Sequence, residues 1–130
     1  MLIEALIGIL IFSIGILAML GMQAVAMQTT IDAKYRSEAG YLANQIIGTI
    51  WVDRANISKY ATTYASAYTP RDNWLDEVAT KLPQDTVTPA NTDPVIVVAG
   101  REVTVTVKWK RPGETAASQH IAIAQINDAQ

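Results

Sequence analysis

The sequence predicts an α+β protein with one long N-terminal helix and a C-terminal antiparallel sheet of about three strands. Three observations predict this fold class. An uncharged apolar run extends from Ala5 to Met22, no proline occurs before Pro70, and apolar and polar residues alternate from Glu102 to Lys110. With 130 residues, the chain has room for one domain and little more.

The apolar run predicts a transmembrane helix. As an α-helix, the residues up to Met22 would cover roughly 33 Å, which matches a hydrocarbon core of about 30 Å. A secretory signal peptide is the alternative, because Ala24-Val25-Ala26 resembles a cleavage site. However, no basic residue precedes Lys34, and the apolar run is longer than that of a signal peptide.

Glu4 is the one charged side chain before Asp32. A carboxylate within an apolar helix usually has a partner. Glu4 either sits in water at the membrane interface or pairs with a cation of another chain. If chains stack with an axial offset, Glu4 of one would meet the amino group of Met1 of the next, so Glu4 and Met1 are the predicted inter-subunit pair.

Helical periodicity continues beyond the apolar run and predicts one helix of about 55 residues, about 80 Å long. The residues that share one face of its second half are Ile31, Tyr35, Ala39, Leu42, Ile46, Ile50 and Ile57. The first half would protrude and be apolar on all sides, whereas the second half would support a globular head. The predicted division is residues 1–27 for the hydrophobic half and 28–130 for the head.

A second, short helix is predicted in the middle of the chain. Asp72 or Asn73 can cap it, and Pro83 prevents its continuation beyond about Lys81. Its inward residues would be Trp74, Leu75 and Val78. Tyrosines recur every four residues before it, at Tyr60, Tyr64 and Tyr68, and predict an aromatic patch packed against the head.

The C-terminal third predicts the sheet. Val95–Ala99 and Val103–Trp109 are separated by a short turn, and the second segment has strict period-two alternation. Arg111-Pro-Gly-Glu114 predicts a type II turn. A third strand is expected near Ser118–Ile126, and the apolar face of this meander would pack on the long helix.

The segment Leu2-Ile3-Glu4-Ala5-Leu6-Ile7, followed by a long apolar helix, resembles the N-terminus of type IV pilins after removal of their leader. Further along the chain, the similarity is greatest to minor pilins of the PilV (type IV pilus modification) type. The segments that carry it are Ser13–Leu17, Arg54-Ala55-Asn56, Trp74 to Pro83 and Val105–Trp109. The resemblance implies a type IV pilin-like fold and an N-terminus that is exposed by a prepilin peptidase and methylated. The family glutamate is the fifth mature residue, whereas here it is the fourth.

The implied function is that of a structural subunit, expected to be a minor pilin, in a type IV pilus or related filament. The subunit would be a single-pass inner-membrane protein before assembly and part of the extracellular fimbrium afterwards. Its partners would be other pilin subunits, the pilus assembly machinery and inner-membrane lipid, and its filament would serve tasks such as adhesion or motility. The expected filament-core and transmembrane residues are Leu2, Ile3, Leu6, Ile7, Ile9, Leu10, Ile11, Phe12, Ile14, Ile16, Leu17 and Leu20.

Other functions stay open at this point. Within the family, the alternatives are a major pilin or a pseudopilin of type II secretion. Outside it, the chain would be a single-span membrane-anchored binding module.

Helix melting is a further prediction for the apolar half. Type IV pilins commonly carry a proline where this chain has glycine, and they can lose helicity there. Each glycine costs about 0.8–1 kcal/mol of helix stability relative to alanine. The segment from Gly15 to Gly21 is therefore predicted to melt when the subunit enters a filament, although glycines also serve close helix packing.

The composition argues against catalysis and against cofactors. The chain has no cysteine and one histidine, His120, so thiol chemistry and typical transition-metal sites are excluded. The carboxylates Asp76-Glu77, Asp85 and Asp93 lack the spacing of a calcium loop. A pI near 5.2 argues against nucleic acid as a partner, and Lys108 and Lys110 are expected on the solvent face of their strand.

Overall fold

The computed structural model describes residues 1–127 and has the predicted α+β class. Two α-helices and three strands make up the regular structure: α1 (Leu2–Val52), α2 (Thr69–Lys81), β1 (Val95–Ala99), β2 (Glu102–Trp109) and β3 (Ser118–Gln125). Short 3-10 helices cover Arg54–Tyr60 and Pro89–Asn91. The third strand predicted near Ser118–Ile126 lies within the described residues, and the predicted head, 28–130, continues beyond them.

The chain divides into two units, Met1–Lys34 and the residues from Tyr35 onward, which we call the head. All residues up to Ile31 are exposed. The predicted helical face therefore becomes buried only from Ala39 onward, since Ile31 is 41% exposed. The part of α1 that contributes to the core is shorter than the sequence predicted.

α1 ends at Val52, before the predicted end near Ile57. Asp53 leaves the helical conformation, with φ −107° and ψ 37°. Its carboxylate accepts a hydrogen bond from the Asn56 side chain at 2.7 Å, and its carbonyl accepts one from the Asn56 amide at 2.9 Å. These local bonds replace the helical pattern, and Ile57 lies in the following 3-10 helix, half-buried against the core.

α2 begins at Thr69, four or five residues earlier than a cap at Asp72 or Asn73 predicts, and Pro70 occupies its first turn, where proline is favoured. Asp72 accepts a hydrogen bond from the Tyr68 amide at 2.8 Å, so it satisfies a helix N-terminus that starts before it. The predicted end is confirmed, because α2 stops at Lys81 and Leu82 adopts an extended conformation. Its inward side chains are also as expected: Trp74 and Val78 are buried and Leu75 is half-buried.

The sheet is an antiparallel meander in the order β1-β2-β3. Ala99 pairs with Glu102, and Gly100 takes φ +63° in the tight turn between β1 and β2. The predicted type II turn precedes β3: Gly113 has φ +88°, and the Glu114 amide donates to the Arg111 carbonyl at 3.1 Å. Glycine suits both turns because side chains disfavour positive φ.

One buried cluster joins the sheet, α2 and the C-terminal part of α1, as predicted for the apolar face of the meander. Its members are Ala39, Leu42, Ala43, Ile46, Ile50, Tyr60, Trp74, Val78, Leu82, Ile96, Val103, Val105, Val107, Trp109 and Ile126. The indole N–H of Trp74 donates to the Leu42 carbonyl at 2.8 Å, which ties α2 to α1 inside the core. The head therefore has a hydrophobic core of its own.

Candidate functional site: the apolar surface of the N-terminal unit

The candidate site is the surface of α1 within Met1–Lys34. Each of the twelve residues predicted for a filament core or membrane is exposed, from 43% for Ile16 to 82% for Leu2. Soluble monomers rarely expose an apolar surface of this extent. By length and composition, a helix with this surface could cross a membrane.

The few hydroxyl groups of this unit are satisfied inside the helix. Ser13 donates to the Ile9 carbonyl at 2.7 Å, and Thr29 and Thr30 donate to carbonyls one turn earlier at 2.8 and 2.9 Å. Such bonds lower the cost of placing a hydroxyl in a medium without water. From Ala5 to Met22, the polar groups of this helix therefore need no outside partner.

Glu4 differs from its neighbours, because it is an exposed carboxylate in the first turn of α1. The positive end of the helix dipole favours a negative charge there. None of the ion pairs or side-chain hydrogen bonds within residues 1–127 includes Glu4. Met1 is fully exposed, and its carbonyl accepts the Ala5 amide at 3.2 Å.

Gly15 and Gly21 lie on open parts of the helix surface. A Cβ added at either position would meet no atom within 4 Å, and α1 is continuous through both. A shallow apolar groove beside Gly21 is lined by Ala18, Met22, Val25 and Ala26. In the single chain this segment is helical, so the predicted melting concerns the assembled state.

By length and composition, α1 is the one helix in the described part of the chain that could cross a membrane. Its location near the N-terminus would also suit a signal sequence. Family models, curated proteins and solved structures were compared with this chain, and none matches.

The head contains a polar cluster around Asp53 that sequence reasoning did not find. The hydroxyls of Tyr60 and Tyr68 both donate to Asp53 Oδ2, the first at 3.1 Å. Mainly through Tyr68 and Asn56, these donors hold the pKa of Asp53 below its usual value, while burial raises the pKa of the Tyr60 hydroxyl. The two rings pack edge to face at 5.0 Å, so the predicted aromatic patch forms at Tyr60 and Tyr68, whereas Tyr64 is 38% exposed.

Arg71 is a second feature that the sequence did not reveal. Its side chain is buried, 7% exposed, and its guanidinium contacts Asp72 and four backbone carbonyls. These acceptors belong to Lys59, Ala61, Tyr64 and Ser66. Arg71 therefore holds the loop before α2, and no local pattern around it distinguishes it from a surface arginine.

Asp85 and Lys110 correct one prediction. Lys110 follows β2 and pairs with Asp85 at 2.9 Å, instead of sharing the solvent face with Lys108. Arg111 pairs with Glu114, so both basic residues that directly follow β2, Lys110 and Arg111, have a carboxylate partner. These four residues line a depression of the head in which positive and negative charges balance.

Within residues 1–127, no three histidine, cysteine, aspartate or glutamate side chains could hold a metal ion. His120 is half-buried, and its ring atoms lie 3.8 Å from the place of a Cβ on Gly40. Its position indicates a packing contact between β3 and α1.

Proposed function

We propose that this chain is a structural subunit of a type IV pilus or related filament, most similar to a minor pilin. The observation that carries the proposal is the continuous, uncharged and exposed surface of α1 from Ala5 to Met22, preceded by Glu4. The head, which has its own hydrophobic core, would be the globular part of such a subunit.

The apolar unit would serve two environments in turn. Before assembly it would lie in the inner membrane, and afterwards in a bundle with the same unit of neighbouring subunits. Lipid tails and packed apolar helices are similar in polarity, so the transfer requires little net hydrophobic free energy. The open surface at Gly15 and Gly21 leaves room for close approach of a neighbouring helix.

Glu4 would give this bundle its axial register. A carboxylate inside an apolar bundle is costly alone but favourable beside a cation. We propose the amino group of Met1 of a neighbouring subunit as that cation, because no lysine or arginine precedes Lys34 in the sequence. An axially displaced neighbour would then be selected over one in the same register.

The pairing is tested with Glu4→Ala and Glu4→Gln in the full chain, produced in a host that assembles the filament. We expect less of either variant in sheared filaments, because both remove the charge, and unchanged amounts in the membrane fraction. Asp76→Ala is the control, since Asp76 is an exposed carboxylate of the head. Incorporation of both Glu4 variants at the level of the original chain would overturn the pairing.

A second measurement tests the class of protein. A polar substitution within the apolar run, Leu10→Asn, is expected to lower incorporation of chains that have reached the membrane. A single-span binding module predicts a change of location alone, and a secreted protein predicts a mature N-terminus after Ala26 in mass spectra. The proposal would be overturned if the chain were absent from purified filaments and the head bound a ligand on its own.

A further inference from the structure

The two edge strands of the sheet, β1 and β3, differ in what covers their outer edges. β1 is covered along part of its outer edge by the loop before α2: the Thr62 amide donates to the Ile96 carbonyl at 3.0 Å, and the Ile96 amide donates to the Thr62 hydroxyl at 3.4 Å. β3 pairs with β2 on one side. On its other side, no strand or loop among residues 1–127 forms backbone hydrogen bonds with it.

β3 also lacks the features that usually protect an open edge. Native sheets block such edges with charged side chains, proline or bulges. The strand Ser118–Gln125 has the sequence Ser-Gln-His-Ile-Ala-Ile-Ala-Gln. It contains no aspartate, glutamate, lysine, arginine or proline. It pairs with β2 over all eight of its residues without a bulge. An uncharged, regular edge of this kind is suited to accept another strand.

The outward face of β3 is symmetric in sequence. Its alternate residues are Gln119, Ile121, Ile123 and Gln125, a palindrome centred on Ala122. Ile121 and Ile123 are 50% and 64% exposed, although the sequence pattern suggests a polar outer face for the sheet. Val97 lies in the same cross-strand row as Ile123, since both pair with Thr104, and it is 51% exposed.

We propose that β3 binds β3 of a second copy of this chain in an antiparallel pair about a two-fold axis at Ala122. In this register, Ile121 of each copy lies opposite Ile123 of the other, and Gln119 lies opposite Gln125. Residues directly opposite in an antiparallel pair share one face, so the four isoleucines form one apolar cluster. The two sheets become one continuous sheet of about six strands.

The palindrome selects an identical copy over another partner. Under a two-fold axis each outward side chain meets one of its own chemistry, apolar with apolar and amide with amide. The edge carries no charge that would repel its own copy or attract an oppositely charged strand. Inside the sheet, Ala122 faces Ala122 and His120 faces Ala124, so large side chains do not collide there.

This pair goes beyond the proposed function and does not depend on it. A two-fold pair closes on itself, whereas a filament needs a contact that repeats along an open screw axis. The β3 pair is therefore distinct from any contact that would build a filament. Glu4→Ala, which should impair the filament, is expected to leave the β3 pair intact.

The register is tested by disulfide cross-linking of the full chain in membranes, which is free of background because the chain has no cysteine. Ile121→Cys and Ile123→Cys are placed on two differently tagged copies. Directly opposite side chains lie within about 5.5 Å, whereas the diagonal pair formed by Ile121→Cys alone lies about 7–8 Å apart. We expect about tenfold more cross-linked product from the mixed pair than from either variant alone.

Val97→Cys is the matched control, because Val97 lies on the same face, is equally exposed, and belongs to β1 on the opposite side of the sheet. Gln119→Lys should abolish the mixed cross-link, and the emission of the buried tryptophans verifies that this variant folds. Equal cross-linking at Val97, or equal yields from the mixed and single variants, would overturn the proposal. A monomer in both membranes and mild detergent would overturn it as well.

Discussion

The carboxylate of Asp85 and the ammonium group of Lys110 form an ion pair at 2.9 Å that joins the loop after α2 to the end of β2. The Asp85 side chain is only 3% exposed, and it also accepts the amides of Val87 and Thr88. One carboxylate therefore shapes its own loop and attaches that loop to the sheet.

This arrangement predicts acid sensitivity of the head. Lys110, followed by the two amides, holds the pKa of Asp85 well below its ordinary value of about 3.9. A depressed pKa in the folded state contributes stability above the unfolded value, which is lost as pH falls below about 4. We expect Asp85→Asn to lower the urea midpoint of unfolding near neutral pH. The difference in midpoint between this variant and the original chain should become smaller in acid. A difference that stays constant with pH, or an equal effect of Asp76→Asn, would contradict this role.

Arg71→Lys is predicted to loosen the loop before α2. Lysine keeps the charge but cannot reach four carbonyls and Asp72 with one planar group. We expect a loss of about 2 kcal/mol in the free energy of unfolding. Limited proteolysis should cut sooner between Lys59 and Ser66. Unchanged cleavage in that loop would show that Arg71 does not hold it.

The division of the chain into two units predicts that core substitutions act locally. Ile46 is 1% exposed, so Ile46→Ala should destabilise the head by about 2–5 kcal/mol through lost burial and a residual cavity. Ile16→Ala removes the same atoms from the exposed unit and should leave head unfolding unchanged. Urea titration in mild detergent measures both. A comparable loss from Ile16→Ala would contradict this separation.

Gly15→Ala with Gly21→Ala tests helix melting on assembly. Each alanine stabilises the helix by about 0.8–1 kcal/mol, and no atom within 4 Å opposes the added Cβ in the single chain. If this segment melts in the filament, the double variant should incorporate less while its membrane level is unchanged. Gly8→Ala is the control outside the segment. Equal losses from Gly8→Ala would indicate close helix packing instead of melting.

The sequence predicted the elements whose signal is periodic and local. The long helix, the alternating strand with Val103, Val105 and Val107 inward, and the Arg111–Glu114 turn are all present. The end of α1 was misplaced, because Asp53 and Asn56 form local hydrogen bonds that no apolar periodicity reports. The start of α2 was placed too late for a related reason, since Asp72 caps from within the helix.

Contacts between distant residues were not predictable in this way. Lys110 was expected in solvent because its strand alternates, yet it pairs with a carboxylate far from it in sequence. Arg71 has the same character, since its acceptors are carbonyls that only the folded loop brings together. The apolar surface of the N-terminal unit was predictable, because a long run of uncharged residues can be recognised directly in the sequence.

All three tryptophans lie after residue 50, and Trp74 and Trp109 are buried in the head. The hydrogen bond of the Trp74 indole to α1 makes its emission sensitive to the packing of α2. Intrinsic fluorescence of the intact chain thus comes from the head alone, whatever detergent or lipid surrounds the N-terminal unit. Tryptophan emission therefore reports the folding of the head without a contribution from the apolar N-terminal unit.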